Sequence, residues 1–104
     1  MSDWSVYVLR CCDGSFYTGV TNDLSRRLDA HRAGTASKYT RSRLPVRLMC
    51  VMGAWPTRSP ALKLEARIKT MTRVLKQVLI ATVMRLAASI RPRSPRRRPA
   101  ARRR

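Results

Sequence analysis

Residues Ser5–Val20 of this chain read SVYVLRCCDGSFYTGV. Residues 5–11 and 15–20 are rich in β-forming side chains, and the Asp13-Gly14 pair between them is a turn signal. The two segments therefore predict a β-hairpin, and each of its strands carries a tyrosine. The question that follows is whether these two tyrosines only pack across the hairpin or belong to one functional site.

The length of the hairpin loop decides where the tyrosines point. A two-residue turn would pair Arg10 with Tyr17 and put the rings of Tyr7 and Tyr17 on opposite faces of the sheet. A three-residue loop with Gly14 in the left-handed region would pair Leu9 with Tyr17. Both rings would then share one face as diagonal neighbours, roughly 7–8 Å apart at the backbone. The residues alone leave both registers open.

A helix is predicted after the hairpin. Residues 21–23 offer side chains that cap a helix start, and Gly34 follows its expected end near residue 33. The two leucines of this segment form its apolar stripe. On a helical projection His31 falls between them, and Arg27 lies one turn before His31 at the edge of the stripe.

The rest of the chain predicts one further strand and more helix. Residues 35–45 are polar and basic and predict a loop with room for a short helical turn, and residues 46–52 predict the third strand. A helix is predicted to begin at Ser59–Pro60, with a break at residues 70–72 that would divide it in two. Its apolar side chains recur every three or four positions, as expected for a helix. They are Leu64, Ile68, Met71, Leu75 and Leu79.

The order β-β-α-β-α-α predicts a small α+β domain, in which helices flank a three-stranded antiparallel sheet. We expect this domain to span residues 1–80, with a helical extension at residues 81–90. The last fourteen residues, 91–104, hold eight arginines and three prolines and no acidic side chain. Such a composition cannot build a core, so it predicts a disordered tail.

The charge of the chain favours nucleic acid as its partner. There are 23 lysines and arginines against 5 acidic residues, a formal charge of +18. The chain without its tail still has fifteen basic residues against five acidic ones. Such a surface attracts polyanions, because basic contacts to phosphates release condensed counterions. A membrane surface is less favoured, since no segment combines an apolar face with a basic face and aromatic anchors.

The sequence also predicts a cytoplasmic location, with association to the nucleoid as one form of it. Asp3 and Trp4 stand where a secretion leader would begin, and the most apolar later stretch, residues 77–84, is far shorter than a bilayer span. The three cysteines are an odd number, which argues against a disulfide framework and favours reduced, packed thiols.

Glu65 is the only glutamate, and it flanks the apolar stripe of its helix. One interpretation is a surface ion pair with Lys69, four residues on. The other is a ligand for Mg²⁺ beside a phosphate, because Mg²⁺ favours one or two carboxylates and keeps several waters. Each of the other candidate residues also has a purely structural interpretation. Arg27 would then be a solvated charge, His31 a buried histidine, and the two tyrosines a cross-strand packing pair.

Taken together, in order and spacing, these stretches resemble the GIY-YIG nuclease superfamily. In that pattern a Gly-Ile-Tyr strand and a Tyr-Ile-Gly strand precede a helix that bears Arg and often His. This chain has Ser5-Val6-Tyr7, then Tyr17-Thr18-Gly19, then residues 22–28 and His31. Residues 36–41, 43–46 and 61–69 further resemble the small stand-alone branch, which is similar to the nuclease domain of structure-specific endonucleases. The likeness runs from about Trp4 to Ile80.

The resemblance implies a divalent-metal-dependent endonuclease that hydrolyses phosphodiester bonds in DNA, with branched or damaged DNA as candidate substrates. It makes Tyr7 and Tyr17 the two motif tyrosines, Arg27 the helix arginine, His31 its companion and Glu65 the ligand of one Mg²⁺ or Mn²⁺ ion. The family places both tyrosines on one sheet face, which selects the three-residue hairpin loop.

Two residues are candidates for the general base. Tyr7 is the first by resemblance, although its ordinary pKa of about 10 requires nearby cations to lower it. His31 is the second, because its ordinary pKa of about 6.5 suits neutral pH. A single metal ion is expected, since the four aspartates (Asp3, Asp13, Asp23 and Asp29) are not placed to join Glu65.

Substrate binding is expected from further side chains that hold phosphates without reading bases. The alternative function is a non-catalytic nucleic-acid-binding module, DNA or RNA, that keeps the fold and uses the tail as an electrostatic anchor. The lack of the late asparagine of many family members favours that alternative, because Asn22 is the only asparagine here. The predicted binding residues are Arg10, Arg26, Arg32, Lys38, Tyr39, Arg41, Arg43, Arg67 and Lys69.

Overall fold

Three strands and four helices make up residues 2–90, the part of the chain that the computed structural model describes. The strands form one antiparallel sheet with β1 in the centre, in the order β2-β1-β3. The predicted α+β class is confirmed, with one additional short helix in the predicted loop. The predicted tail at residues 91–104 lies outside the described residues. The elements are β1 Trp4–Arg10, β2 Phe16–Thr21, α1 Leu24–Arg32, α2 Lys38–Arg41, β3 Arg47–Trp55, α3 Arg58–Lys69 and α4 Arg73–Ile90.

The hairpin has the three-residue loop. The amide of Cys11 donates to the carbonyl of Ser15 at 2.8 Å, and the amide of Gly14 donates to the carbonyl of Cys11 at 2.9 Å. Gly14 has φ +83°, the left-handed conformation that this loop requires. Leu9 therefore lies opposite Tyr17, and the prediction that both tyrosines share one face of the sheet is confirmed.

The central strand is buried on both faces, because helices cover the sheet on each side. Four consecutive residues, Val6–Leu9, are almost fully buried. Val6 and Val8 pack on one face against side chains of α3 and α4. Side chains alternate along a strand, so Tyr7 points to the other face. The sheet thus separates a core on the α3–α4 side from the side on which α1 and α2 lie.

β3 is longer than predicted, because it continues past residue 52 to Trp55. The sequence pattern predicts that the strand ends before Gly53, because glycine weakens a regular strand. In the structure Gly53 has φ +78°, and the register between β1 and β3 shifts between Trp4 and Val6. A bulge of this kind lets pairing resume, so Trp55 lies opposite Trp4.

The first helix differs from prediction in what it buries. Asp23 caps it, with its carboxylate accepting from the amide of Arg26 at 3.2 Å, and Gly34 follows its end with φ +79°. The buried residue of this helix is His31, whereas Leu24 and Leu28 are only half-buried. The fully buried side chain of α1 is therefore a polar one, next to two leucines that are only half-buried.

The break at residues 70–72 is confirmed, and it changes which side chains are buried. α3 begins at Arg58, slightly before the predicted Ser59–Pro60, and ends at Lys69; α4 begins at Arg73. Because α3 ends at Lys69 and α4 begins at Arg73, the apolar side chains of α4 do not continue the apolar stripe of α3 on the same face. Leu75 is 54% exposed, and Ile80 is the buried residue of α4. The predicted domain boundary at residue 80 falls inside this continuous helix.

The three cysteines are free thiols. Burial raises the pKa of Cys50 to about 11 and also raises the pKa of Cys11. Those two thiols stay protonated and act as packing groups, whereas Cys12 is exposed. Among the helices of residues 2–90, none has both the length and the hydropathy to cross a bilayer.

Candidate active site

The hydroxyl of Tyr7 is the centre of a buried hydrogen-bond network. Its side chain comes from the central strand and is fully buried. The oxygen lies 2.8 Å from Nε2 of His31 and accepts a hydrogen bond from Nε of Arg27 at 3.2 Å. Arg27 and His31 are one turn apart on α1, as their spacing predicts. One strand and one helix thus bring three of the predicted site residues together.

The network continues from His31 to Thr40. Nδ1 of His31 lies 2.9 Å from the hydroxyl of Thr40, and that hydroxyl donates to the carbonyl of Ser37 at 3.4 Å. This chain of bonds fits a neutral imidazole, in which Nδ1–H donates to Thr40 and Nε2 accepts the proton of Tyr7. Both His31 and Thr40 are fully buried.

Thr40 is the residue that sequence reasoning missed. It lies within residues 36–41, which resemble the family pattern, but no feature of the sequence gives it a role. Ser37 caps α2 by accepting from the amides of Tyr39 and Thr40, at 3.1 and 3.4 Å. The cap fixes the first turn of α2, and this turn presents the Thr40 hydroxyl to the imidazole.

Burial controls the electrostatics of the site. It raises the pKa of Tyr7, and although the hydrogen bond and positive charge of Arg27 act in the opposite direction, burial has the larger effect. The positive charge of Arg27 is therefore not sufficient to lower the pKa of this tyrosine. Burial, with a smaller effect of Arg27, lowers the pKa of His31 and keeps the imidazole neutral. The hydrogen bond to Tyr7 raises the pKa of Arg27, so its guanidinium stays charged.

Tyr17 is the first member of a stack of two aromatic rings and a guanidinium group, which leads from the network to the surface. Its ring lies 6.4 Å from that of Tyr7 and 5.1 Å from that of His31, measured between centroids. On its other side it stacks with Tyr39 at 6.1 Å, and the guanidinium of Arg43 lies 3.8 Å over the Tyr39 ring. Asp13 fixes Arg43 through a 3.0 Å ion pair. The predicted binding residues Tyr39 and Arg43 thus adjoin the site.

Glu65 shows features of both of its interpretations. Its carboxylate pairs with Nζ of Lys69 at 3.5 Å, as the surface alternative predicts. Its side chain is nevertheless only 20% exposed, and its charge contributes to raising the pKa of Tyr7, although far behind burial. This contribution ranks behind those of Arg27 and Tyr17.

A cavity of about 350 Å³ adjoins Arg27. It is lined by Thr21, Asn22, Asp23, Arg26, Arg27 and Ala30. Arg26 is thus brought next to the site. So is Asn22, the only asparagine of the chain, which places an amide beside Arg27 although the late asparagine of the family pattern is missing.

The remaining predicted binding residues lie around the site or away from it. Lys38 and Arg41 lie on α2 and are exposed, and Arg32 forms a 3.9 Å ion pair with Asp29. Arg67 and Lys69 lie in the last turn of α3. Arg10 follows Leu9 in β1, so its side chain is on the face opposite to Tyr17 and does not join this site.

His31 predicts how stability depends on pH. It is the only histidine of the chain, and its pKa in the folded state lies below the ordinary value because it is buried. The unfolded chain therefore binds a proton more readily. The free energy of unfolding is at its full value above pH of about 6.5 and falls at lower pH, by up to about 1.4 kcal/mol per pH unit.

Urea denaturation at pH 7.0 and 5.5 measures this effect. His31→Gln, which leaves the chain without an imidazole, is expected to unfold with nearly the same free energy at both pH values. A wild type whose stability does not change over this range would contradict the assignment of a buried neutral imidazole.

From residue 3 to residue 77, the chain is similar to proteins of one family. The GIY-YIG catalytic domain family matches residues 3–77. A UPF0213 protein of Cupriavidus pinatubonensis is 47% identical over 73 residues, which cover 70% of this chain and 80% of that protein. A UPF0213 protein of Halobacterium salinarum is 45% identical over 74 residues, which cover 71% of this chain and 95% of that protein.

Solved structures agree with the fold. The solution NMR structure of the UPF0213 protein of Bacillus halodurans is 40% identical and covers 77% of this chain and 84% of that chain, with a TM-score of 0.51. The solution NMR structure of an E. faecalis protein is 42% identical and covers 83% of this chain and 88% of that chain, with a TM-score of 0.54.

The match fits the geometry. The residues at the motif positions, Tyr7, Tyr17, Arg27 and His31, are packed into one network, and the charge of Glu65 acts on the pKa of Tyr7. GIY-YIG domains are nucleases that generally depend on divalent metals, and their substrates are nucleic acids. This chain belongs to the GIY-YIG family.

Proposed function

We propose that this protein is a divalent-metal-dependent endonuclease that hydrolyses phosphodiester bonds in DNA, with branched or damaged DNA as its substrate. The observation that carries the proposal is the joint placement of Tyr7, His31 and Arg27 in one network. Binding to a polyanion would require basic side chains alone. A carboxylate whose charge acts on Tyr7 adds nothing to the binding of a polyanion, and a role as a metal ligand at the phosphate accounts for it.

The residues fit one magnesium or manganese ion. Glu65 offers a hard oxygen ligand on a side chain that is partly open to solvent. Among residues 2–90, no three His, Cys, Asp or Glu side chains form a cluster that could hold a metal. A site with one carboxylate suits Mg²⁺, which keeps several waters and completes its shell with substrate phosphate. The bound ion would supply positive charge to the scissile phosphate and to the leaving oxygen.

The network supplies a route for the proton of the attacking water. Because burial raises the pKa of Tyr7, its hydroxyl is protonated at neutral pH and cannot act as a free phenolate. The oxygen of Tyr7 can accept the proton of the water while its own proton passes to Nε2 of His31, 2.8 Å away. One O–H bond forms at Tyr7 as another breaks, and His31 becomes the imidazolium. Tyr7 and His31 then share the role of base.

Arg27 and Tyr17 serve the phosphate in this proposal. Arg27 uses Nε to hold the oxygen of Tyr7, so its terminal nitrogens remain to donate to phosphate oxygens. Its raised pKa keeps the positive charge where the transition state develops negative charge. Tyr17 packs against both Tyr7 and His31, so its hydroxyl is available to orient the water or the phosphate.

The second candidate is the nucleic-acid-binding module without catalysis. The ion pair between Glu65 and Lys69 favours it, because a carboxylate held by a lysine is partly neutralised. Both functions predict binding that weakens steeply with salt. They differ in whether divalent metal produces cleavage.

Nicking assays separate the two functions. Supercoiled plasmid and a branched oligonucleotide are incubated with Mg²⁺, with Mn²⁺ or with EDTA, and RNA of the same sequence serves as a third substrate. The wild type is expected to cleave DNA only with metal, and Glu65→Ala and Arg27→Ala are each expected to lose about 10²-fold or more in rate. Arg85→Gln, which removes an exposed charge from α4, is the control.

Two outcomes would contradict the proposal. Absence of cleavage by the wild type on every substrate would favour the binding module. Cleavage that survives both Glu65→Ala and Arg27→Ala would show that these residues do not form the active site.

A further inference from the structure

We propose that Arg10 and Arg73 form a second phosphate-binding site, on the sheet face opposite to Tyr7 and Tyr17, which holds the backbone of a nucleic acid. The inference relies on the proposed function only for the class of ligand. It is tested by binding, so it can succeed or fail independently of cleavage.

The two guanidinium groups converge at the tip of the hairpin. Nη2 of Arg10 and Nη2 of Arg73 each lie 3.8 Å from the position that a Cβ atom on Gly14 would occupy. The two nitrogens are therefore less than about 8 Å apart, a gap that the oxygens of one phosphate can bridge by accepting a hydrogen bond from each arginine. Because Gly14 has no side chain, the space between the guanidinium groups stays open.

The site lies on the α3–α4 side of the sheet. Arg10 pairs with Phe16 in the hairpin register, and Phe16 packs against the cluster of Val8 and Ile80. The guanidinium carbon of Arg73, the first residue of α4, lies 5.0 Å from the centre of the Phe16 ring. This contact holds Arg73 toward the hairpin and toward Arg10.

An apolar cavity of about 220 Å³ lies beside the two arginines. Besides Arg10, Arg73 and Phe16, it is lined by Met49, Gln77, Ile80, Ala81 and Met84. Apolar walls lower the local dielectric constant, which strengthens the attraction between guanidinium groups and a phosphate. They also suit the apolar faces of a sugar or a base attached to that phosphate.

No acidic side chain of residues 2–90 neutralises this pair. The ion pairs of the described residues join Asp13 to Arg43, Asp29 to Arg32 and Glu65 to Lys69, so Arg10 and Arg73 each lack a carboxylate within 4.0 Å. The first turn of α4 contains no acidic residue either, and its amides add partial positive charge. Two like charges this close repel each other, and an anion between them relieves the repulsion.

The position of the site indicates the form of the substrate. Tyr7, Tyr17 and Arg27 lie on one side of the sheet, whereas the arginine pair lies on the other, the side of the helix α3 that carries Glu65. A straight duplex that contacts one side leaves the other side free. A branched nucleic acid can direct one arm to each side, so the second site favours branched over linear DNA.

The test measures binding by fluorescence anisotropy in EDTA, where cleavage is suppressed, with a labelled four-way DNA junction and a linear duplex of the same arm sequence. The variant is Arg10→Gln/Arg73→Gln in the full chain. The matched control, Lys63→Gln/Arg85→Gln, removes the same charge from exposed positions. Melting temperatures of both variants establish that they are folded.

The arginine variant is expected to bind the junction about 10-fold more weakly, with the slope of log affinity against log salt reduced by about 1–2. Its affinity for the linear duplex should change no more than that of the control. Equal losses in the two variants, or a loss as large for the duplex as for the junction, would overturn the second site. A junction-specific loss in a protein that never cleaves would retain the site and remove the nuclease function.

Discussion

Tyr7→Phe is expected to lower the rate of phosphodiester cleavage by about 10²–10⁴-fold, the range usual for loss of a general base. The substitution keeps the ring and removes the one oxygen that can take a proton from water and pass its own proton to His31. Arg27 loses the acceptor of its Nε at the same time. Within residues 2–90 no other hydroxyl bridges these two side chains, so the proton route would be interrupted.

Single-turnover rates with saturating DNA measure the effect, because they separate chemistry from binding. Tyr39→Phe is the control, since it also removes one hydroxyl but retains the stacked ring. The substitution at Tyr7 also leaves buried donor and acceptor groups without a partner, at a cost of about 1–3 kcal/mol in stability. The assays should therefore run well below the melting temperature of the variant.

A pH profile distinguishes the proton route from a merely structural role of Tyr7. The wild-type rate should fall as the pH drops through the lowered pKa of His31, because an imidazolium cannot accept the proton of Tyr7. The residual rate of Tyr7→Phe should lack this step. A Tyr7→Phe enzyme that cleaves within threefold of the wild-type rate would contradict the role of the hydroxyl.

The hairpin shows how far the sequence determines the site. The residues of the loop allow two registers, and the requirement that Tyr7 and Tyr17 share a face selects the one in which Leu9 lies opposite Tyr17. Local chemistry agrees with this choice, because Gly14 adopts the left-handed conformation at no steric cost. Local pattern and family resemblance together were sufficient here.

Contacts between distant segments were not predictable in this way. The bond from His31 to Thr40 joins α1 to α2, and the position of α2 depends on tertiary packing that no local pattern encodes. Thr40 also has no periodicity or charge that would distinguish it from any other threonine. The ion pair between Asp13 and Arg43 escaped prediction for the same reason, since thirty positions separate the two residues.

The sequence also does not show whether burial or nearby positive charge has the larger effect on the pKa of Tyr7. A role as general base requires nearby cations to lower the pKa of Tyr7, but Tyr7 is buried and its pKa is raised. Desolvation depends on the atoms around a group and not on its neighbours in the chain. The proton relay that we propose through His31 rests on that burial, and it assigns the role of base to Tyr7 and His31 together.

Gly19→Ala is expected to disrupt the site from a residue that bears no functional group. Gly19 is buried and lies opposite Tyr7 in the hairpin, and a Cβ there would lie only 2.4 Å from the hydroxyl oxygen and 2.5 Å from Cζ of that tyrosine. Gly19 does not have a positive φ, so alanine could adopt its backbone conformation. The ring of Tyr7 must therefore move, and its bonds to His31 and Arg27 must break.

The expected cost in stability is about 1–3 kcal/mol for overpacking, with about 1–3 kcal/mol more for the buried polar groups left without partners. Cleavage should fall at least as far as in Tyr7→Phe.

Denaturant unfolding of Gly19→Ala in two backgrounds tests the cause. In wild type the full cost is expected, whereas in Tyr7→Val, where the ring is absent, the added methyl group should cost less than about 0.5 kcal/mol. An equal cost in both backgrounds would show that Gly19 serves the backbone and not the ring of Tyr7. A small cost in the second background would show that the glycine exists to admit the ring on which the network is built.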